Sequence, residues 1–353
     1  MKKSFCFVMI LILSIILLAG CESNRPPEIQ TEDIAVGVIE TRGDKEKSRI
    51  LFYDNDMNEL GSLPLDYATV GNVFYCPLIV DDALYVIPQG YANKKDAETV
   101  LEIDLSNLNI TKHSIEQLAM NCVAVSDDYV YTCNTLNGVS YINKCNKENG
   151  NTESIDISLT YISKLIYVHD RLYAFGTTNT EEDEMVSDLF VYDTELNLLE
   201  KIDISKCGAN QYKVIEYNGE LLFTSLSDRN DNSTNMVGMV NVSDYSVETI
   251  QLNKDNPLDL AIHDGKLYVT HFDVVQLTGG GLSIYDLTTG ELKDYSFEHG
   301  AEQMAIANDK LYILADWKIY VYDVESMELL RSVDVEQMDD DFSYLSGIFV
   351  IDN

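Results

Sequence analysis

The chain has 353 residues, of which 24 are basic and 59 acidic, so its formal charge is −35. This excess of negative charge argues against nucleic acid as a partner and against electrostatic adhesion to anionic lipid, because both need a basic surface. We expect the charge to serve solubility, with a selective site for cations or basic partners as the alternative. One large domain is enough to account for the length.

Residues 1–20 are predicted to be a signal peptide. Lys2 and Lys3 supply positive charge, an almost unbroken apolar run follows them, and small residues end the segment. The alternative is a plain transmembrane anchor, but the apolar run is short for a span of about 20 residues.

The end of this segment, Leu18-Ala19-Gly20-Cys21, resembles the bacterial lipobox. The resemblance implies cleavage before Cys21, a diacylglycerol on its sulfur and attachment to the extracytoplasmic face of the membrane. Two or three acyl chains hold a protein firmly to a membrane, whereas a single chain does not. Residues 21–33 are polar, contain Pro26-Pro27 and have no periodicity, so we expect a lipidated N-terminus and a disordered tether.

From residue 34 onward, turn dipeptides recur between β-prone runs, and each is followed one residue later by an apolar pair. They are Asp81-Asp82, Asp127-Asp128, His169-Asp170, Asn218-Gly219, Asp264-Gly265 and Asn308-Asp309. Their spacings are 46, 42, 49, 46 and 44 residues. Four short strands, A to D, fit into each period of about 45 residues, which predicts a β-propeller rather than an α-solenoid.

The turns between strands C and D give an independent count of the repeats. An aspartate or asparagine is predicted to end strand C at Asp54, Asp104, Asn143, Asp193, Asn241, Asp286 and Asp323. Seven marks predict seven blades. Residues 342–353 match a strand A and residues 34–39 a strand B, so 34–353 is predicted to be an all-β, seven-bladed propeller in which one blade combines N-terminal strands B, C and D with a C-terminal strand A.

Leu267-Tyr268-Val269 and the later segment Ile284-Tyr285-Asp286-Leu287-Thr288-Thr289-Gly290-Glu291-Leu292 resemble the LYV and YDxxTGE elements of YVTN-type propellers. That group contains YncE-like proteins and quinoprotein-like repeat domains, and its elements specify a blade rather than an activity. A single tryptophan, Trp317, departs both from the WD40 pattern and from the tryptophan-rich repeats of quinoprotein dehydrogenases. We therefore expect no quinone and no other cofactor.

Of seven cysteines, Cys6 lies in the signal peptide and Cys21 is the predicted lipid site. If Asp127-Asp128 forms a two-residue turn, Cys122 and Cys133 face each other at a hydrogen-bonded pair of strands A and B, within disulfide range. A disulfide and two buried free thiols are both open. The remaining Cys76, Cys145 and Cys207 have no predicted partner and lack a zinc spacing.

Ligands of propellers usually meet the face built from the B–C and D–A connections, called here the loop face. The B–C loops differ most between repeats, with predicted ranges of 88–99, 176–188, 225–236 and 270–281 and a short loop in blade 7. Variable loops on a repeated scaffold are where a specific function is grafted. We expect a protein or small-molecule ligand on this face.

His271 and Asp273 in the blade 6 loop, with Trp317 one blade away, are the candidate ligand-binding residues. An imidazole beside a carboxylate suits acid–base work, and an exposed indole can stack on a sugar or a cation; surface packing is the alternative. Asp228 and its neighbours to Ser233 resemble the start of a calcium loop, but without its glycine and final glutamate a solvated turn is expected, and we assign no metal site. Recurring tyrosines such as Tyr85 and Tyr173 are predicted to pack between blades.

No nucleophile motif accompanies these residues, so we assign no catalytic residue. The leading hypothesis is a non-catalytic, membrane-tethered extracytoplasmic binding or scaffold protein. One rival is a lactonase-like, metal-dependent hydrolase at the channel mouth, because some similar propellers hold a divalent metal there. A third possibility is a subunit of an envelope-assembly complex.

Overall fold

The computed structural model describes residues 29–71, 77–89, 94–158, 160–182, 184–338 and 342–351. Seven separate antiparallel sheets of four strands follow one another along the chain. The fold is therefore the predicted all-β, seven-bladed propeller.

The strands are given blade by blade in the order A to D. Blades 1 to 3 contain β28 (Ser343–Val350), β1 (Val36–Arg42), β2 (Ser48–Tyr53) and β3 (Glu59–Leu65); β4 (Leu78–Val80), β5 (Ala83–Val86), β6 (Thr99–Asp104) and β7 (Ile110–Ser114); and β8 (Met120–Val125), β9 (Tyr129–Leu136), β10 (Val139–Asn146) and β11 (Thr152–Ser158).

Blades 4 and 5 contain β12 (Tyr161–Val168), β13 (Arg171–Asn179), β14 (Met185–Tyr192) and β15 (Leu198–Asp203); and β16 (Ala209–Tyr217), β17 (Glu220–Ser227), β18 (Met236–Asn241) and β19 (Val247–Gln251). Blades 6 and 7 contain β20 (Pro257–His263), β21 (Lys266–Asp273), β22 (Thr278–Asp286) and β23 (Leu292–Ser296); and β24 (Gln303–Ala307), β25 (Lys310–Ala315), β26 (Lys318–Asp323) and β27 (Leu329–Asp334). Short helical turns occur at Thr31–Asp33, Lys94–Ala97 (α1) and Ser205–Cys207.

The hydrophobic core lies between successive blades rather than within each one. Separate buried clusters join blades 2 and 3, 3 and 4, 4 and 5, 5 and 6, 6 and 7, and 7 and 1. Tyrosines at one position of strand B enter these clusters, which confirms their predicted packing role: Tyr85, Tyr131, Tyr173, Tyr268 and Tyr312. Burial raises the pKa of Tyr268 and of Tyr312 to about 12, as expected for phenols used for packing.

Blade 1 closes the ring as predicted, because β1 pairs with β28 from Val36↔Val350 to Arg42↔Ser343. The other edge of β1 pairs with β2, so the two ends of the described chain meet inside one sheet. This closure leaves no open sheet edge at the point where the ring begins and ends.

All six predicted dipeptides connect strand A to strand B. Asp264 and Gly265 have φ values of 47° and 70°, the left-handed geometry that a two-residue hairpin of this type requires. In blade 3 the predicted register is also correct, since Val125 pairs with Val130 and Cys122 with Cys133.

The C–D turns are built around an aspartate or asparagine whose side chain accepts amides of its own turn, but one predicted mark is wrong. Asp286 Oδ1 accepts the Thr288 and Thr289 amides, and these bonds lower the pKa of its carboxyl. In blade 3 this role belongs to Asn146 rather than Asn143. Asn143 lies inside β10, fully buried and hydrogen-bonded to Asn134. The sequence has an asparagine at both 143 and 146, and either could end strand C. The strand continues to Asn146, so the turn begins at the second asparagine.

Three of the four long B–C loops are shorter than predicted because at least one flanking strand extends further. In blade 4 the pairing extends to Asn179↔Met185, and in blade 6 it extends to Asp273↔Thr278. Only residues 274–277 remain outside the strands in blade 6. Parts of the predicted loops are therefore strand residues, and some of them, such as His271, are buried.

The predicted signal peptide and Cys21 lie outside the described residues. Within the described part of the chain, no helix has the length and apolarity needed to cross a membrane. The compact unit begins at Thr31, whose hydroxyl donates to the Ser106 carbonyl in the C–D turn of blade 2. Thr31 therefore lies on the face formed by the A–B and C–D turns, called here the turn face.

Candidate functional site

His271 is a buried strand residue rather than a loop residue, which corrects its predicted setting. It lies on β21 and only 4% of it is exposed. Its Nδ1 lies 2.9 Å from the Asp255 carbonyl oxygen, and its Nε2 lies 2.8 Å from Ser283 Oγ. Both ring nitrogens are therefore engaged within the protein.

The network continues from Ser283, whose hydroxyl donates to Asp294 Oδ1 at 2.7 Å. A carbonyl oxygen only accepts hydrogen bonds, so the contact with Asp255 requires a proton on His271 Nδ1. If the Ser283 hydroxyl donates its one proton to Asp294, its contact with His271 requires a second proton, on Nε2. Keeping all three hydrogen bonds thus requires an imidazolium. Burial, however, lowers the pKa of His271, aided by the charge of Lys254. When the ring is neutral, Nε2 accepts a hydrogen bond from the Ser283 hydroxyl, which then no longer donates to Asp294.

Asp273 and Trp317 have separate surroundings. Asp273 Oδ1 accepts the amides of Val275 and Gln276 and so builds the turn of its own hairpin. Trp317 forms the B–C turn of blade 7, where its half-buried side chain packs on the cluster between blades 7 and 1. The three predicted residues do not form one constellation, because each side chain has different partners.

The sequence patterns did not predict a group of titratable side chains at the junction of blades 6 and 7, which includes His299, Glu302 and Tyr322. The His299 ring stacks on Tyr320 at a centroid distance of 3.5 Å, and its Nε2 lies 2.6 Å from the Tyr322 hydroxyl. Burial, together with the negative charge of Asp316, raises the pKa of Glu302. These residues come from different segments of two blades, so no local spacing marks them.

Polar side chains of the innermost strands link neighbouring blades around the channel. Lys213 Nζ lies 3.2 Å from Asp259 Oδ1, and Asp259 Oδ2 accepts the Met304 amide at 2.9 Å. Gln303 donates to the Ser346 carbonyl, and Ser346 in turn donates to the Val70 carbonyl. Asp259, a buried channel carboxylate, is therefore neutralised by Lys213 and engaged in holding blades 5, 6 and 7 together.

Cavities occur both in the channel and on the turn face. A cavity of about 70 Å³ lies beside innermost strands of blades 2 to 5, and Cys122, Lys164, Tyr212 and Lys213 contribute to its wall. Grooves of about 370, 300 and 230 Å³ lie between blades on the turn face. Because similar grooves recur at several blade junctions, they reflect the repeat rather than one specific site.

Cys122 and Cys133 are opposed as predicted, with both side chains buried and their Sγ atoms 2.7 Å apart as free thiols. Burial raises the pKa of Cys133, so its thiol is not an activated nucleophile. The disulfide stays a prediction. Cys145 and Cys207 are buried, whereas Cys76 lies outside the described residues.

The resemblance of residues 228–233 to a calcium loop does not extend to ligand geometry. Asp228 Oδ1 accepts the backbone amides of Asn230 and Asn232, and Asn232 Nδ2 also donates to the carboxylate. These bonds close a turn, and the absence of a metal from it stays a prediction. Glu184, in the neighbouring loop of blade 4, pairs with Arg229 at 2.6 Å.

Exposed apolar side chains occur both at the loop face and on outer strands near the C–D turns. Val275 and Leu277, at the tip of the blade 6 hairpin, are 79% and 68% exposed. Leu118, Tyr161 and Phe342 are also exposed, in or beside D–A connections. The other large exposed apolar side chains among the described residues lie on outer strands: Ile110, Leu198, Leu199, Leu329 and Leu330.

No protein-family model matches this sequence, and no curated protein sequence matches it. Solved structures do resemble the fold. The structure of apo AztD from Citrobacter koseri has a TM-score of 0.55 at 10% identity, covering 90% of this chain and 98% of that one. A second Citrobacter koseri AztD structure has a TM-score of 0.52 at 10% identity and the same coverage.

Kuenenia stuttgartiensis hydrazine synthase gives a TM-score of 0.57 at 13% identity, covering 81% of this chain and 97% of that one. At such low identity these likenesses support the propeller fold alone. One scaffold accommodates unrelated functions, so function has to be argued from this chain's own surface.

Proposed function

We propose that this chain is an extracytoplasmic lipoprotein, tethered to the membrane through Cys21, whose propeller binds a partner at the loop face without catalysing a reaction. The observation that carries the proposal is the exposure of Val275 and Leu277 at the tip of one hairpin, with further exposed apolar side chains on the same face. Apolar side chains held in water on a rigid scaffold are typical of binding surfaces.

A binding role is favoured over hydrolysis by the state of the groups that chemistry would need. The lactonase-like alternative requires acidic ligands that converge at the channel mouth. Asp259 is instead paired with Lys213 and bound to the Met304 amide, and His271 is buried with both nitrogens engaged. Neither group is available to a substrate without breaking a structural contact.

Site-specific photocrosslinking in the native envelope tests the binding surface. A photoreactive residue at Leu277 is expected to capture a partner, and the same probe at Thr288 on the turn face is the matched control. With the probe kept at position 277, Val275→Asp should sharply reduce the crosslink while the thermal transition is unchanged. Equal capture from both positions would contradict the proposal, and stable co-purification with a membrane complex would identify the protein as an assembly subunit.

The lipid anchor needs a separate test. Cys21→Ala is expected to abolish incorporation of a labelled fatty acid and to release the chain from membranes, whereas Cys6→Ala should change neither. Continued labelling of the Cys21→Ala chain would overturn the lipoprotein assignment and leave the loop-face proposal standing.

A further inference from the structure

Three metal-binding side chains meet on the turn face, where the A–B turns of blades 6 and 7 adjoin. His263 is the last residue of β20, Asp264 begins the turn that follows it, and Asp309 belongs to the equivalent turn of blade 7. His263 Nε2 lies 3.1 Å from Asp309 Oδ1 and 3.6 Å from Asp264 Oδ2. Within the described part of the chain this is the one group of three such ligands.

From this geometry we infer that His263, Asp264 and Asp309 bind one divalent transition-metal ion of the Zn²⁺ class. In a tetrahedral zinc site with bonds of about 2.0 Å, neighbouring ligand atoms are about 3.3 Å apart. The two nitrogen–oxygen separations lie on either side of that value. Three protein ligands also leave a fourth position for water or for a ligand from outside.

The arrangement of charge also favours a cation. Two carboxylates, each more than 80% exposed, converge on one ring nitrogen, which has at most one proton to share between them. Lys310, the basic residue that follows Asp309, directs its ammonium to the Asn55 carbonyl of blade 1. A metal ion between the carboxylates relieves their repulsion, and the protein's large negative charge raises the local cation concentration.

The donor set selects among cations. Imidazole nitrogen favours zinc and neighbouring transition metals, whereas magnesium and calcium prefer sites made only of oxygen. Metal binding requires the Nε2 lone pair, so the imidazole must be neutral with its proton on Nδ1, and acid must weaken binding. Because the ligands come from blades 6 and 7, the ion would link the two blades.

Zinc titration of the full chain, purified in detergent and stripped with a chelator, tests the site. We expect calorimetry to give one Zn²⁺ per chain, with Mg²⁺ and Ca²⁺ binding at least about tenfold more weakly. His263→Asn and Asp309→Asn should each weaken zinc affinity at least about tenfold. Zinc should also raise the thermal midpoint of the wild type and not that of His263→Asn.

The matched control is His169→Asn, because His169 occupies the blade 4 turn and faces a single carboxylate, Glu216, at 3.7 Å. Its zinc affinity should equal that of the wild type. Unchanged circular dichroism in every variant separates loss of ligands from loss of fold. Equal zinc affinity in His263→Asn and wild type, no zinc binding by the wild type, or a preference for Ca²⁺ would each overturn the assignment.

Discussion

At the scale of single residues, His271 couples the protonation of a buried imidazole to the hydrogen bonds of blade 6. Its ring contacts the Asp255 carbonyl and the Ser283 hydroxyl, and the charges of Lys254, Asp294 and Asp255 also act on it. Protonation moves the Ser283 hydroxyl from the ring to Asp294. A single proton thus changes a hydrogen bond between β22 and β23.

This coupling predicts a loss of stability in mild acid. Folding lowers the pKa of His271 below 6.5, so the unfolded chain binds the proton more tightly than the folded chain. The contribution of His271 to the free energy of unfolding should be fully present above about pH 6.5 and should be lost as the pH falls through the folded pKa.

Urea unfolding between pH 7.5 and 5.5 measures this effect, and His271→Gln is expected to show a shallower pH dependence than the wild type. The exposed His169→Gln is the control and should match the wild type. His299, whose pKa is also lowered by burial, should keep part of the dependence in His271→Gln. Identical slopes in wild type and His271→Gln would contradict the argument.

The opposed thiols of Cys122 and Cys133 support a second residue-scale prediction. In an oxidising envelope they are expected to form a disulfide, which closes a short loop and stabilises the fold by about 3 kcal/mol in the chain-entropy model. Strain at a hydrogen-bonded pair would reduce that gain. Intact mass and thiol counting under denaturing conditions measure disulfide formation. The wild type should show two fewer thiols before reduction than after it. Cys145→Ser should keep the disulfide, and Cys122→Ser should lose it.

At the scale of elements, a glycine opposite a phenylalanine shapes the closing strands. Gly37 on β1 pairs with Phe349 on β28, and a Cβ placed on Gly37 would overlap the Phe349 ring. Gly238 and Phe223 repeat this pairing in blade 5. In each pair the phenylalanine ring packs directly over the glycine, so the strand has no space for a side chain at that position.

Gly37→Ala is therefore expected to displace the buried Phe349 ring and to lower the free energy of unfolding by about 1–3 kcal/mol. Gly43→Ala is the matched control, because its nearest neighbouring atom would be Thr69 Oγ1 at 4.0 Å. The urea midpoints of the two variants provide the measurement. Equal midpoints would show that the closing strands tolerate the extra methyl group.

At the scale of the whole molecule, the ring depends on one strand from the end of the chain. Seven residue pairs join β1 to β28, and β28 also contacts β24 of blade 7. If each residue pair contributes a hydrogen bond of about 1 kcal/mol, losing the pairing of β1 with β28 costs a free energy comparable with the total stability of a typical domain. Removing β28 also exposes an unpaired edge of β1 and the apolar cluster beneath it.

A chain that ends at Phe342 is expected to lose cooperative unfolding and to become sensitive to protease, whereas a chain that ends at Ile351 should behave as the wild type. Thermal circular dichroism and limited proteolysis measure both properties. A sharp unfolding transition in the shorter chain would mean that six blades and a partial seventh fold without closure.

Much of the architecture could be predicted because it depends on local chemistry that repeats. Turn dipeptides such as Asp264-Gly265 predicted the hairpins, and their spacing predicted the length of the repeat. The matching ends of the chain predicted the closure that is seen between β1 and β28. The same local register placed Cys122 opposite Cys133. Where two nearby residues fitted the same role, as Asn143 and Asn146 did at the end of strand C, the prediction of Asn143 was wrong.

The candidate sites were decided by tertiary structure, because their members come from different blades. His263 meets Asp309 across 46 positions of sequence, and Lys213 meets Asp259 across two innermost strands. Whether His271 is buried depends on how far β21 and β22 continue to pair, which no single strand specifies. The sequence by itself determined the ring and its closure through short-range turns and periodicity, and only the packing of blade on blade decided which side chains are free to bind.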